Sequence, residues 1–217
     1  MERLPFVKSI LKMEYLIWVD EAWRGPWAWP VSACAFLFLQ KSDITKSLRD
    51  SKKLSKKQRE KIFEELITLE KSGWCLIWKA MISNTVIDKV WIKEANRLAM
   101  KKSLEELMKK SAWIKISEIL IDWRDNYRFE KISIKCTYII RWDDKIDEIK
   151  AASIIAKVSR DREMLKLSKK YPGYHFEVHS WYWTKKHRDA IEALWVCPIH
   201  RRSYAPIKKA LILSEKS

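Results

Sequence analysis

A chain of 217 residues is long enough to bury one good-sized core, and its 44 basic against 28 acidic residues leave a net charge of +16. That excess favours a polyanionic partner through phosphate contacts and counterion release. No apolar run reaches the ~18 residues that a membrane-spanning helix needs, and no secretory signal opens the chain, so a cytoplasmic protein without membrane association is expected. Cys34, Cys75, Cys136 and Cys197 are scattered without paired spacing. They indicate neither a zinc knuckle nor a disulfide framework, and read as buried free thiols in a reducing compartment.

In chain order, residues 1–14 form a short basic lead-in, and residues 15–213 read as a single domain without repeats or a low-complexity linker. Residues 15–19 are a first apolar strand, and residues 31–39, apolar and rich in small or aromatic side chains, can pair beside it. A polar loop over 50–55 ends in Ser55, placed to cap a helix over 56–71 whose apolar face carries Ile62, Phe63, Leu66 and Ile67. Residues 74–82 are a third strand. Residues 87–110 form a long amphipathic helix, with Ile92, Ala95, Leu98, Ala99 and Leu107 at helical spacing. Short apolar strands over 118–121 and 136–140 deliver Asp122 and the segment Arg141-Trp142-Asp143-Asp144. The helix over 149–169 contains Ala151-Ala152-Ser153-Ile154-Ile155-Ala156-Lys157, whose small residues allow close packing on a sheet. Helices over about 184–194 and 204–213 finish the chain. Strands with acids at their ends, interleaved with helices, predict an α/β sheet with a helical C-terminal part.

Four acids carry the chemistry. Asp20 and Glu21 stand side by side at the end of the first strand. Two adjacent carboxylates there repel each other and lose solvation, and they stay ionised only beside a cation. Asp122 follows another apolar strand, so Asp20 and Asp122 can meet at one edge of a parallel pair, and Asp143 follows a third. Oxygen ligands without histidine or thiolate select hard cations, Mg²⁺ or Mn²⁺. Two such ions can activate a water and stabilise the leaving oxygen in phosphodiester cleavage. His175 and His179 lie four apart in a loop after Pro172-Gly173, with no third ligand in view, and are set aside as a metal pair. His200, in the basic turn Ile199-His200-Arg201-Arg202-Ser203, reads as structural.

The segment Val19-Asp20-Glu21-Ala22-Trp23-Arg24-Gly25-Pro26 resembles the opening motif of ribonuclease HII, Gly-Val-Asp-Glu-Ala-Gly-Arg-Gly-Pro, once glycine replaces the tryptophans at 18 and 23. Further pieces follow in order over roughly residues 15–213. The resemblance implies a ribonuclease-H-like mixed central sheet flanked by helices. It also implies an endonuclease that hydrolyses the RNA strand of RNA–DNA hybrids and nicks DNA 5′ of embedded ribonucleotides, leaving a 3′-hydroxyl and a 5′-phosphate. Asp20, Glu21, Asp122 and Asp143 match the family's catalytic, metal-holding acids. Trp23, Arg24 and Gly25 occupy the family's Gly-Arg-Gly loop, whose backbone approaches the 2′-hydroxyl that distinguishes RNA from DNA. Tyr182, within Ser180-Trp181-Tyr182-Trp183-Thr184, resembles the family tyrosine beside the RNA–DNA junction. Lys52, Lys53 and Ser153 fall in matching segments as candidate phosphate contacts. The expected partners are RNA–DNA hybrid and ribonucleotide-containing duplex DNA, bound by a monomer. Two rival readings are a hybrid-binding protein disabled by Trp23, and a basic structural nucleic-acid binder. The second leaves the four strand-end acids unexplained.

One anomaly cuts across all of this. The chain has 13 tryptophans and only 3 glycines, whereas glycine averages about 7% of residues. Trp18, Trp23, Trp29, Trp123, Trp142, Trp181, Trp183 and Trp195 stand where the ribonuclease HII pattern has glycine. Trp78, Trp91 and Trp113 are further candidates, Trp27 is a candidate true tryptophan, and Trp74 is left open. The expectation is that these glycines are encoded by UGA, read as glycine in the source organism and rendered as tryptophan under a genetic code that assigns UGA to that residue.

Overall fold

The computed structural model describes residues 15–22, 25–40, 42–49, 51, 53–123, 127, 129–130, 132–139, 147–176 and 184–214. The described residues fall into two compact units. One is drawn from the stretches Met1–Glu21, Ala33–Ala80 and Met100–Val158, the other from Ala22–Ser32, Met81–Ala99 and Ser159–Ser217.

The first unit is built on a mixed five-stranded sheet in the order β3-β2-β1-β4-β5. Its strands are β1 (Tyr15–Ala22), β2 (Val31–Phe38), β3 (Cys75–Ile82), β4 (Ile116–Asp122) and β5 (Cys136–Ile139). β1 pairs with β4 in parallel, and β4 with β5 likewise. β2 is buried along its whole length, as a nearly continuous apolar run requires of a strand covered on both faces. Helix α1 (Lys56–Lys71) starts where the sequence predicts. Ser55 closes a capping box with Gln58, and Ile62, Phe63 and Leu66 are its buried positions. Helix α3 (Asp147–Lys170) begins two residues earlier than its apolar pattern suggests, with Asp147 and Glu148 in its first turn, where acids favour the helix dipole.

Helix α2 (Asn84–Lys110) also begins earlier than expected, and it is interrupted. Trp91 has φ 64° and ψ 159°, which no helix accommodates. The helical periodicity on either side is correct, and a spacing argument cannot see one residue leaving the helix.

The second unit has its own core, in which Trp27, Met164, Leu167, Tyr174, Phe176, Ile191 and Ile207 are buried. Helices α4 (Lys185–Leu194) and α5 (Ala205–Ser214) lie in it, α4 capped by Thr184. Cys34, Cys75 and Cys197 are buried free thiols, whereas Cys136 is half-buried at the head of short β5. Among the described residues no helix is long and apolar enough to cross a membrane.

Candidate active site

Strand register assembles the site. β1 and β4 run in parallel with Val19 beside Ile121, so the next residue on each, Asp20 and Asp122, emerges at the same end of the sheet. Alternation along a strand puts Trp18 on the face of Asp20, and Leu120 on the face of Asp122. Trp18, Leu120 and Ile149 of α3 form a small buried cluster on that face. One helical turn after Ile149 comes Ser153, and one turn further Lys157, on the same stripe of α3. The apolar part of the stripe holds the helix down, and its polar part faces the acids.

Asp20 is 7% exposed. The Glu21 backbone N–H donates to its Oδ1 at 2.7 Å, and the Ser153 hydroxyl donates to its carboxylate. Burial, and then the Asp122 charge, push the proton affinity of Asp20 up from 3.8 to about 7. Ser153, the Glu21 amide and Lys157 oppose that rise without cancelling it. Lys157 acts at a remove. Its Nζ donates to Ser51 Oγ at 2.5 Å, and Ser51 Oγ lies 2.9 Å from Ser153 Oγ. A lysine and two buried hydroxyls thus lead to one carboxylate. Arg59 fastens the Ser51 loop by donating to the carbonyls of Ser51 and Leu54 at 3.0 and 2.6 Å.

Two carboxylates held at one sheet edge, one of them raised toward neutrality by burial and then by the other's charge, are a poor arrangement for a protein alone and a good one around a cation. The donors at this edge are oxygens, with Glu21 next in the chain. Among the described residues no group of three or more His, Cys, Asp or Glu side chains is placed to hold a metal ion, and Asp143 lies outside them.

Of the residues singled out by sequence, Asp20, Asp122 and Ser153 come together, Glu21 adjoins them, and Lys53 is exposed in the loop after Ser51. Gly25 is exposed and belongs to the second unit. Trp23, Arg24, Lys52, Asp143 and Tyr182 lie outside the described residues. Sequence reasoning missed Ser51 and Lys157. The four-residue spacing of Ile149, Ser153 and Lys157 was the available signal for the lysine; nothing local marked Ser51, whose partner lies 102 positions away.

Within the second unit, Trp27 and Trp29 are fastened to the segment around Arg201. The Trp29 N–H donates to the Ile199 carbonyl at 2.8 Å, and the Arg201 N–H donates to the Trp27 carbonyl at 2.7 Å. Buried Arg201 adds a bond from Nε to the Trp29 carbonyl at 2.8 Å. Asn84 Nδ2 donates to the carbonyls of Pro198 and His200, at 2.9 and 3.1 Å. His200 is fully buried, with Nε2 3.1 Å from His187 Nε2 and Nδ1 accepting from the Cys197 N–H at 3.0 Å. Burial pushes its pKa down to about 4. A neutral imidazole enclosed in this way is structural, as its setting in the sequence suggests.

An α/β sheet whose central parallel strands present paired carboxylates at one edge defines the ribonuclease-H-like class. A family model described as Ribonuclease HII matches residues 17–207. A ribonuclease HII of Caldicellulosiruptor bescii is 40% identical over 88% of this chain and 86% of its own length. One from Coxiella burnetii is 38% identical over 94% and 95%. The crystal structure of ribonuclease H2 from Pyrococcus horikoshii OT3 superposes with a TM-score of 0.75 at 26% identity, covering 94% of this chain and all of that one. The chain belongs to the ribonuclease HII family.

Proposed function

We propose that the chain is a metal-dependent endonuclease that hydrolyses the RNA strand of RNA–DNA hybrids and nicks duplex DNA on the 5′ side of embedded ribonucleotides, leaving 3′-hydroxyl and 5′-phosphate ends. Ribonuclease H activity follows from family membership. The observation that carries the chemistry is that Asp20 of β1 and Asp122, the last residue of β4, follow paired Val19 and Ile121 on adjacent parallel strands, with Asp20 buried and its proton affinity raised.

Asp20, Glu21 and Asp122, with Asp143, would hold Mg²⁺ or Mn²⁺, which supply an activated water and stabilisation of the leaving oxygen. Ser153 orients Asp20, and its hydroxyl is shared with Ser51. Arg24 with its neighbours at 23 and 25 reads the 2′-hydroxyl, Tyr182 packs beside the junction, and Lys52 and Lys53 contact phosphates.

The test is cleavage of a DNA duplex containing one ribonucleotide, with and without Mg²⁺ or Mn²⁺, by the protein as its source organism makes it. Glu21→Gln and Asp122→Asn should each lower turnover by roughly a thousandfold or more while duplex affinity changes only a few-fold, because lysine–phosphate contacts supply most of the binding. Metal-independent cleavage, or near-full turnover in both variants, would sink the assignment.

A further inference from the structure

Six described residues have backbone φ in the left-handed range: Gly73, Gly173, His175, Trp29, Trp91 and Trp195. Glycine is at home there, and histidine is among the side chains enriched there. Tryptophan is not, yet it supplies half of the set. Trp91 (φ 64°, ψ 159°) and Trp195 (φ 66°, ψ −170°) are more extreme still. Positive φ with fully extended ψ is a region that glycine occupies almost alone, because a Cβ collides there with its own backbone.

Neither conformation is compensated by the indole. Trp91 is 65% exposed and Trp195 50% exposed, so little apolar burial offsets the strain. The surroundings nonetheless hold the backbone. Trp195 ends α4, its N–H donating to the Ile191 carbonyl at 2.9 Å, at the helix-terminating position where glycine is strongly enriched. Tyr174 Oη donates to the carbonyls of Leu194 and Trp195 at 3.0 and 2.9 Å and clamps that turn from outside. Trp29 (φ 82°) is clamped in the same manner, through its N–H to Ile199 and its carbonyl to Arg201. The indole N–H of Trp29 is buried and finds no acceptor among the described residues, and that of Trp18, beneath Asp20, is in the same position. Trp27 differs on every count. It has no positive φ, it is buried, and its ring lies 5.7 Å from that of His187 in the second core.

We propose that positions 29, 91 and 195 are glycine in the functional protein, that their codons are UGA read as glycine, and that Trp27 is a genuine tryptophan with codon UGG. The positive φ at all three positions, the clamped backbones at 29 and 195, and the exposed indoles at 91 and 195 carry this assignment without reference to any nuclease activity; the Trp29 indole packs on the second core but leaves its N–H without an acceptor among the described residues. It places position 91, which the family pattern left as a further candidate, with 29 and 195.

Two measurements test it. The gene, with peptide mass spectrometry of the protein purified from its source, should show UGA and glycine at 29, 91 and 195 but UGG and tryptophan at 27. UGG with tryptophan at the first three overturns the proposal. Thermal melts of the tryptophan-containing chain give the independent check. Trp91→Gly and Trp195→Gly should each raise the melting temperature by roughly 2–10 °C, while Trp27→Gly lowers it. A loss in both of the first two comparable to that of Trp27→Gly also overturns it. If the tryptophan-containing chain does not fold, the codon and mass measurements decide alone.

Discussion

Replacing Asp20 by asparagine should stabilise the metal-free protein while ending its activity. In the folded chain the pKa of Asp20 rises from 3.8 to about 7, first because it is buried and second because Asp122 is beside it. An acid whose folded pKa is raised favours the protonated folded state, so its contribution to stability falls as pH climbs from about 4 to about 7 and stays lost above. A rise of roughly three pKa units at 1.36 kcal/mol each sets a ceiling of ~4 kcal/mol at pH 8. The asparagine amide still has to be buried, so the net gain should be about 2–4 kcal/mol, or roughly 5–15 °C in melting temperature for a chain of this size. The Oδ1 of asparagine can keep the bond from the Glu21 amide. The assay is a set of thermal melts in chelator at pH 5, 6, 7 and 8. Asp20→Asn should match the parent at pH 5 and exceed it increasingly toward pH 8. Added Mg²⁺ or Mn²⁺ should then stabilise the parent and leave the variant unmoved. A variant equal to or below the parent at pH 8 would refute the claim that Asp20 is held against its own charge.

Tyr182→Ala should reduce cleavage most on DNA containing a single ribonucleotide, where one junction carries all the recognition; equal slowing on every hybrid substrate would make Tyr182 a folding residue. His200 stays neutral in the folded state down to about pH 4, so it withdraws stability as pH falls from about 6.5 to 4. His200→Gln should flatten that limb of the acid-unfolding curve, and an unchanged limb would show that His200 does not control it. Ser55→Ala removes the capping box of α1 and should cost about 1 kcal/mol in denaturant melts without altering turnover.

Much of the fold was legible because it rests on local signals. The start of α1 is set by a serine cap, and β1, β2 and β4 announce themselves as short apolar runs. The position of Asp122 as the last residue of β4 could be read the same way, whereas β1 runs on past its expected end at residue 19 and buries Asp20 and Ala22 within the strand. The resemblance to ribonuclease HII added the roles of those acids.

What the sequence by itself determined, then, is which residues stand at the ends of which elements, because capping, periodicity and apolar runs act over a few positions. Only the tertiary structure decided that Val19 lies beside Ile121, that Ser51 meets Ser153 across 102 residues, and that Lys157 reaches Asp20 through both hydroxyls. Those contacts depend on strand register and on how a helix is seated on its sheet, which no local pattern encodes. The backbone at Trp91 belongs with them. Helical periodicity runs past it on both sides, and its φ and ψ become visible only when the chain is folded around it.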